Sequence, residues 1–95
     1  MLMKMTQHAQ KDRYARMMGI ISERGIGEVL YERYNPERDH FHILTDTGIV
    51  IIADSRKKII ITAYHANFKQ AKWIANGNKL PNYLQKIIIS NKGKD

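Results

Sequence analysis

Apolar residues recur along this chain with two different periods. Tyr14, Met17, Met18 and Ile21 fall at i, i+3, i+4 and i+7, one apolar face of a helix. They predict a helix across "TQHAQKDRYARMMGIISERG", residues 6–25. Thr6 suits its N-cap and Gly25 its end, while Gly19 weakens the last turns.

From there the period shortens to two. "GEVLYERY" (27–34) opposes Val29, Tyr31 and Arg33 to Leu30, Glu32 and Tyr34. "HFHILT" (40–45) puts His40, His42 and Leu44 on one face and Phe41, Ile43 and Thr45 on the other. "IVIIAD" (49–54) and "IIITAYH" (59–65) complete the strand-like runs. The segments between them are short, with Pro36, Asn35 and Asp39 supplying turn chemistry in the first. Connections this short predict a four-stranded antiparallel meander, because parallel neighbours need crossover segments.

Helical spacing then returns. "NFKQAKWIANG" (67–77) predicts a helix with Asn67 as cap and Gly77 as stop. Leu80, Tyr83, Leu84, Ile87 and Ile88 predict another over 80–90, with Pro81 in its first turn, although "IIIS" also suits an edge strand. "NKGKD" reads as a solvated tail. The expected class is α+β: an N-terminal helix, a four-stranded antiparallel β-meander and C-terminal helices, in one domain spanning residues 1–95.

Composition narrows the chemistry. A chain of 95 residues with 43% apolar content supports one modest core. Without cysteine, disulfides, thiolate metal sites and thiol catalysis are excluded. "MLMKM" is too short for a signal peptide, and no apolar run approaches the ~20 residues that span a bilayer. A cytoplasmic protein without membrane contact is expected. Sixteen Lys and Arg against nine Asp and Glu give a net charge of +7, which attracts polyanions, RNA foremost. An acidic protein partner fits the same charge.

The strand "IIITAYH" carries the candidate chemistry. Period-two geometry puts Lys58, Ile60, Thr62 and Tyr64 on one face, and Ile59, Ile61, Ala63 and His65 on the other. The second face is nearly all apolar and is expected against a helix. The first suits a cleft, shared with His40 and His42 if the register allows. His, Lys, Thr and Tyr suffice to cleave RNA without a metal. One group takes the 2′-OH proton, a second protonates the departing 5′-oxygen, and a cation stabilises the phosphorane.

Plainer readings exist. Thr and Tyr fit any pleated surface. His40 and His42 have the spacing of two metal ligands, but no third His lies near in sequence and the carboxylates are scattered. No metal or other cofactor is expected. Arg56, Lys57 and Lys58 read simply as a charged turn, and His8 as an exposed residue off the apolar stripe.

"HAQKDRYAR" (His8 to Arg16) on an early helix, followed by a short meander ending in "IIITAY" (Ile59 to Tyr64), resembles the barnase–EndoU–colicin–RelE superfamily of small metal-independent RNases. The resemblance covers roughly residues 6–66 and leaves 67–95 as a C-terminal helical extension. It implies a toxin of a toxin–antitoxin, competition or phage system, with RNA as substrate and an acidic antitoxin or immunity protein as partner. Carried over by position, it implicates His8, Thr62 and Tyr64, with Arg13 or Arg16 as the helix cation. The "HFH" pair has no counterpart in that pattern. The expectation is an endoribonuclease with Arg13 in catalysis, and with Arg16, His40, His42, Arg56, Lys57 and Lys58 on the RNA. The C-terminal helices offer a homodimer contact. The alternative is a non-catalytic basic module, a phage or plasmid regulator or inhibitor, that binds nucleic acid or a host protein.

Overall fold

The computed structural model describes residues 4–5 and 25–92. The predicted N-terminal helix, with His8, Arg13 and Arg16, lies outside the described residues. The described elements are β1 (Lys4–Met5), β2 (Val29–Asn35), β3 (His40–Thr45), β4 (Ile49–Asp54), β5 (Ile59–His65), α1 (Phe68–Ala75) and α2 (Asn82–Ser90).

The class is α+β, and β2 to β5 form the antiparallel meander. A fifth strand corrects the sequence expectation. β1 pairs in parallel with β5, giving the sheet order β1-β5-β4-β3-β2. The crossover that a parallel pair requires is the whole intervening chain, too long to register as a local connection.

Turn chemistry sets the strand ends. Gly48, at φ 79°, closes the β3–β4 turn, and its N–H donates to the Thr45 carbonyl. At the β4–β5 turn Lys57 is left-handed, at φ 58°, a costly conformation for a residue with a Cβ. The Asp54 carboxylate supports it by accepting the N–H groups of Lys58 (2.7 Å) and Ile59 (2.9 Å). Those bonds, led by Ile59, hold the Asp54 carboxyl below its ordinary range.

Both C-terminal segments are helices, so "IIIS" does not form an edge strand. Asn67 caps α1 by accepting from the Gln70 N–H at 2.8 Å. The helix stops at Asn76, one residue before the expected Gly77, because Asn76 itself adopts the left-handed conformation. The helices pack on the sheet rather than standing off it. Leu44, Val50 and Ile52 from the sheet meet Ala71, Ile74, Leu84 and Ile88 from the helices in one buried cluster. Burial of each Leu, Ile or Val side chain among them stabilises the fold by about 1.5–3 kcal/mol. On the opposite sheet face Ile43, Ile49, Ile51, Ala53, Ile60 and Ala63 form a second buried cluster.

Candidate functional site

The register of the meander sets out the helix-facing side of the sheet in rows. Arg33 pairs with His42, His42 with Ile52, and Ile52 with Thr62. The next row runs Tyr31, Leu44, Val50, Tyr64. At the hairpin end Asn35, His40 and Asp54 form a third. His40, His42, Thr62 and Tyr64 therefore share one face.

That face is not the one period two assigns to every β5 residue. The register shifts between Ile52, opposite Thr62, and Ala53, opposite Ile60, which leaves Ile61 extra. Such a bulge turns the residues on either side of it to opposite faces. Ile60 thus joins the second buried cluster, while Ile61 and Tyr64 pack against the cluster beneath the helices. The expectation that the helices cover an Ile59/Ile61/Ala63 face holds for Ile61 and is corrected for Ala63. They cover the face of Thr62 and Tyr64, and Ala63 lies on the other side.

His42 has the most constrained environment of the candidates. Its ring meets Trp73 edge-on, centroids 5.0 Å apart and planes at 68°. Both ring nitrogens are shielded from solvent and have no hydrogen-bond partner among the described residues. Desolvation, reinforced by the nearby charges of His40 and Arg38, lowers its pKa and favours neutral imidazole. Trp73 is itself clamped. The Arg33 guanidinium lies 4.3 Å from the indole centroid, and its Nη1 donates to the Trp73 carbonyl at 2.8 Å.

Beside His42 is a depression of about 470 Å³ between α1 and the β2–β3 hairpin, lined also by Asn35, Glu37, Lys69, Gln70 and Trp73. Thr62 and Tyr64 are not in its lining. Two strand spacings, about 10 Å, separate Thr62 from His42, with Ile52 between them. Tyr64 is half-buried, and desolvation raises its pKa, so the phenol keeps its proton.

The three basic turn residues do not act alike. Arg56 and Lys58 are exposed. Lys57 is paired with Glu32 and stands 4.6 Å from the Phe41 ring centroid, against the opposite sheet face. Sequence reasoning passed over Lys69, Glu37, Asn35 and Gln70. A cation in the first turn of α1, where the helix dipole disfavours it, was the available signal for Lys69. The other three come together only where the β2–β3 hairpin faces α1.

Among the described residues, no three His, Asp or Glu side chains gather where they could hold a metal ion. No helix among them is long and apolar enough to cross a membrane. Compared with known proteins, the chain matches no family model, no curated protein and no solved structure.

Proposed function

We propose that this chain is a metal-independent endoribonuclease that cuts RNA by attack of a 2′-OH on the adjacent phosphorus. The register supports the reading, because it gathers His40, His42, Thr62 and Tyr64 on one face of a basic protein. Same-face neighbours on a strand stand about 6.7 Å apart, a separation that lets two imidazoles flank one phosphodiester. His40 and His42 form the acid–base pair, one taking the 2′-OH proton and the other returning a proton to the departing 5′-oxygen, which requires bound RNA to uncover the His42 nitrogens. The 2′-O–P bond forms as the P–O5′ bond breaks, leaving a 2′,3′-cyclic phosphate and a 5′-hydroxyl. Lys69, which lines the depression beside His42, supplies the cation, and Thr62 and Tyr64, two strands away, bear on a neighbouring part of the RNA rather than on the scissile phosphate. His8, Arg13 and Arg16 are further candidates through the superfamily resemblance. In that setting the protein is a toxin restrained by an acidic antitoxin or immunity protein in the cytoplasm. Exposed Tyr83 and Ile89 on α2 offer a homodimer contact.

One observation favours the second reading. The His42 nitrogens are shielded by packing, which suits a non-catalytic basic module that binds nucleic acid or a host protein. Incubation of the purified protein with end-labelled RNA in EDTA separates the two. Catalysis predicts cyclic-phosphate ends from the wild type, and none from a His40→Asn variant of unchanged melting temperature. An intact RNA in every lane, with ribosomes added as well, leaves the binding module.

A further inference from the structure

The net charge of +7 is confined to one part of the chain. No Asp or Glu occurs between Asp54 and Asp95. In that stretch Lys69, Lys72, Lys79, Lys86 and Lys92 stand exposed on α1, α2 and the segments that join and follow them. Neither helix has an acidic residue in its first turn, so the positive ends of both dipoles are uncompensated. The helical layer is a one-sign surface.

Lys69 and Lys72 are three residues apart on α1 and so share a side of the helix. Each borders a different depression. Lys69 lines the one containing His42 and Trp73, and Lys72 lines another with Phe68, Lys79, Leu80 and Gln85. The depression beside Lys69 is in the size range of small-ligand sites, and its polar groups are of mixed kind. Asn35 Oδ1 is occupied by the Glu37 N–H at 3.0 Å, which leaves the Asn35 amide hydrogens to donate. Glu37 accepts, and Gln70 does both. A carboxylate ligand would be repelled by Glu37, whereas the edge of an unpaired base offers N–H groups to it and acceptors to the amides.

We infer that α1 is the strand-binding element of the protein. A single-stranded RNA backbone lies on Lys69 and Lys72, and one unpaired base enters the depression lined by Asn35, Glu37 and Gln70. The inference rests on the reading that RNA is the ligand, but not on its cleavage. It moves the principal contact from the β4–β5 turn, where Lys57 is already engaged with Glu32, to the helical layer.

The chain has a single tryptophan, so the fluorescence of Trp73 reports on this depression alone. Titration with 2′-O-methyl oligonucleotides, which cannot be cut by 2′-OH attack, separates binding from cleavage. Saturable change in Trp73 emission is expected. The Lys69→Gln/Lys72→Gln variant should bind more weakly, with a salt slope about 1.4 units shallower, roughly 0.7 for each phosphate of a single strand that is no longer neutralised. Glu37→Gln should keep the wild-type slope and shift the ranking of oligo(A), oligo(C) and oligo(U) by several-fold. Wild-type affinity and slope in the double variant would overturn the assignment. So would a weakening confined to Arg56→Gln/Lys58→Gln, or an equal response to polyglutamate, which would mark the surface as one for an acidic protein. Binding as expected without cleavage of ordinary RNA would retain α1 as the strand-binding element and remove the ribonuclease. Cleavage that survives the double variant at unchanged KM would overturn both α1 as the strand-binding element and Lys69 as the catalytic cation, and retain the ribonuclease.

Discussion

The indole of Trp73 stands edge-on to the imidazole of His42, whose two nitrogens are both buried and have no hydrogen-bond partner among the described residues. Buried polar atoms left without a partner cost about 1–3 kcal/mol each. His42 is thus a residue that the core tolerates rather than one the core needs.

Its replacement should show this. In His42→Phe an apolar ring takes the place of the unpaired nitrogens, and stability at pH 7 should rise by about 1–2 kcal/mol, read by urea denaturation. If His42 is the general base, RNA cleavage should vanish in the same variant. The pH dependence follows from the lowered pKa. Above about pH 6.5 the imidazole is neutral folded and unfolded, and contributes no dependence. As pH falls below that value the unfolded chain takes up a proton that the folded chain resists, so stability declines towards the lower folded pKa. The Phe variant should lose that part of the acid-side decline.

Asp54 should govern the β4–β5 turn further down the acid side. Its carboxylate is favoured in the folded state, chiefly by the bond from the Ile59 N–H. The stabilisation is present above the ordinary carboxyl value of about 3.9 and is lost as pH falls through the lower folded pKa. Hydrogen exchange at the amides of Lys58 and Ile59 should accelerate in Asp54→Ala. Asp54→Asn, which keeps an acceptor oxygen, should have the smaller effect.

Asn91 joins three segments. Its side-chain amide donates to the Gly48 carbonyl at 3.2 Å and the Ala66 carbonyl at 3.1 Å, in a site where the residue is 5% exposed. Asn91→Ala should cost about 2 kcal/mol, one typical contribution for each bond. Asn91→Asp should cost more, since a carboxylate cannot donate to either carbonyl. Thermal melts of the two variants, compared with wild type, give the order.

The two sides of α2 should respond differently to substitution. Leu84 is fully buried and Ile89 is 61% exposed. Leu84→Ala should lower stability by about 2–5 kcal/mol, while Ile89→Lys should change it by less than about 0.5 kcal/mol. If Ile89 lies in a homodimer contact, the lysine variant should instead shift the apparent mass in sedimentation towards the monomer.

Local signals carried much of the described fold. Polar turn residues bracket "HFHILT", "IVIIAD" and "IIITAYH", and these strands begin and end where their composition changes. Asn67 announces α1 because a short amide side chain before an apolar helical pattern has a donor to satisfy. The faces were less accessible. A strict alternation keeps Ile60 with Thr62, but the extra residue at Ile61 separates them, and a bulge leaves little trace in composition. The site was legible only in pieces. "HFH" and "ITAY" stand out by residue type, whereas the pairing that aligns them belongs to β4, whose "IVIIAD" contains neither His nor Tyr. Lys69, Glu37 and Asn35 meet across the gap between a hairpin and a helix, a distance that no sequence window spans.

The edge strand holds the helical layer by two side-chain bonds, from Arg33 to the Trp73 carbonyl and from the Tyr31 hydroxyl to the Lys79 carbonyl at 2.8 Å. Both end on main-chain atoms, which every amino acid possesses. The attachment therefore places no demand on the identity of residue 79, and the outward chemistry of the helices can drift through mutation while their seat on the sheet is inherited unchanged.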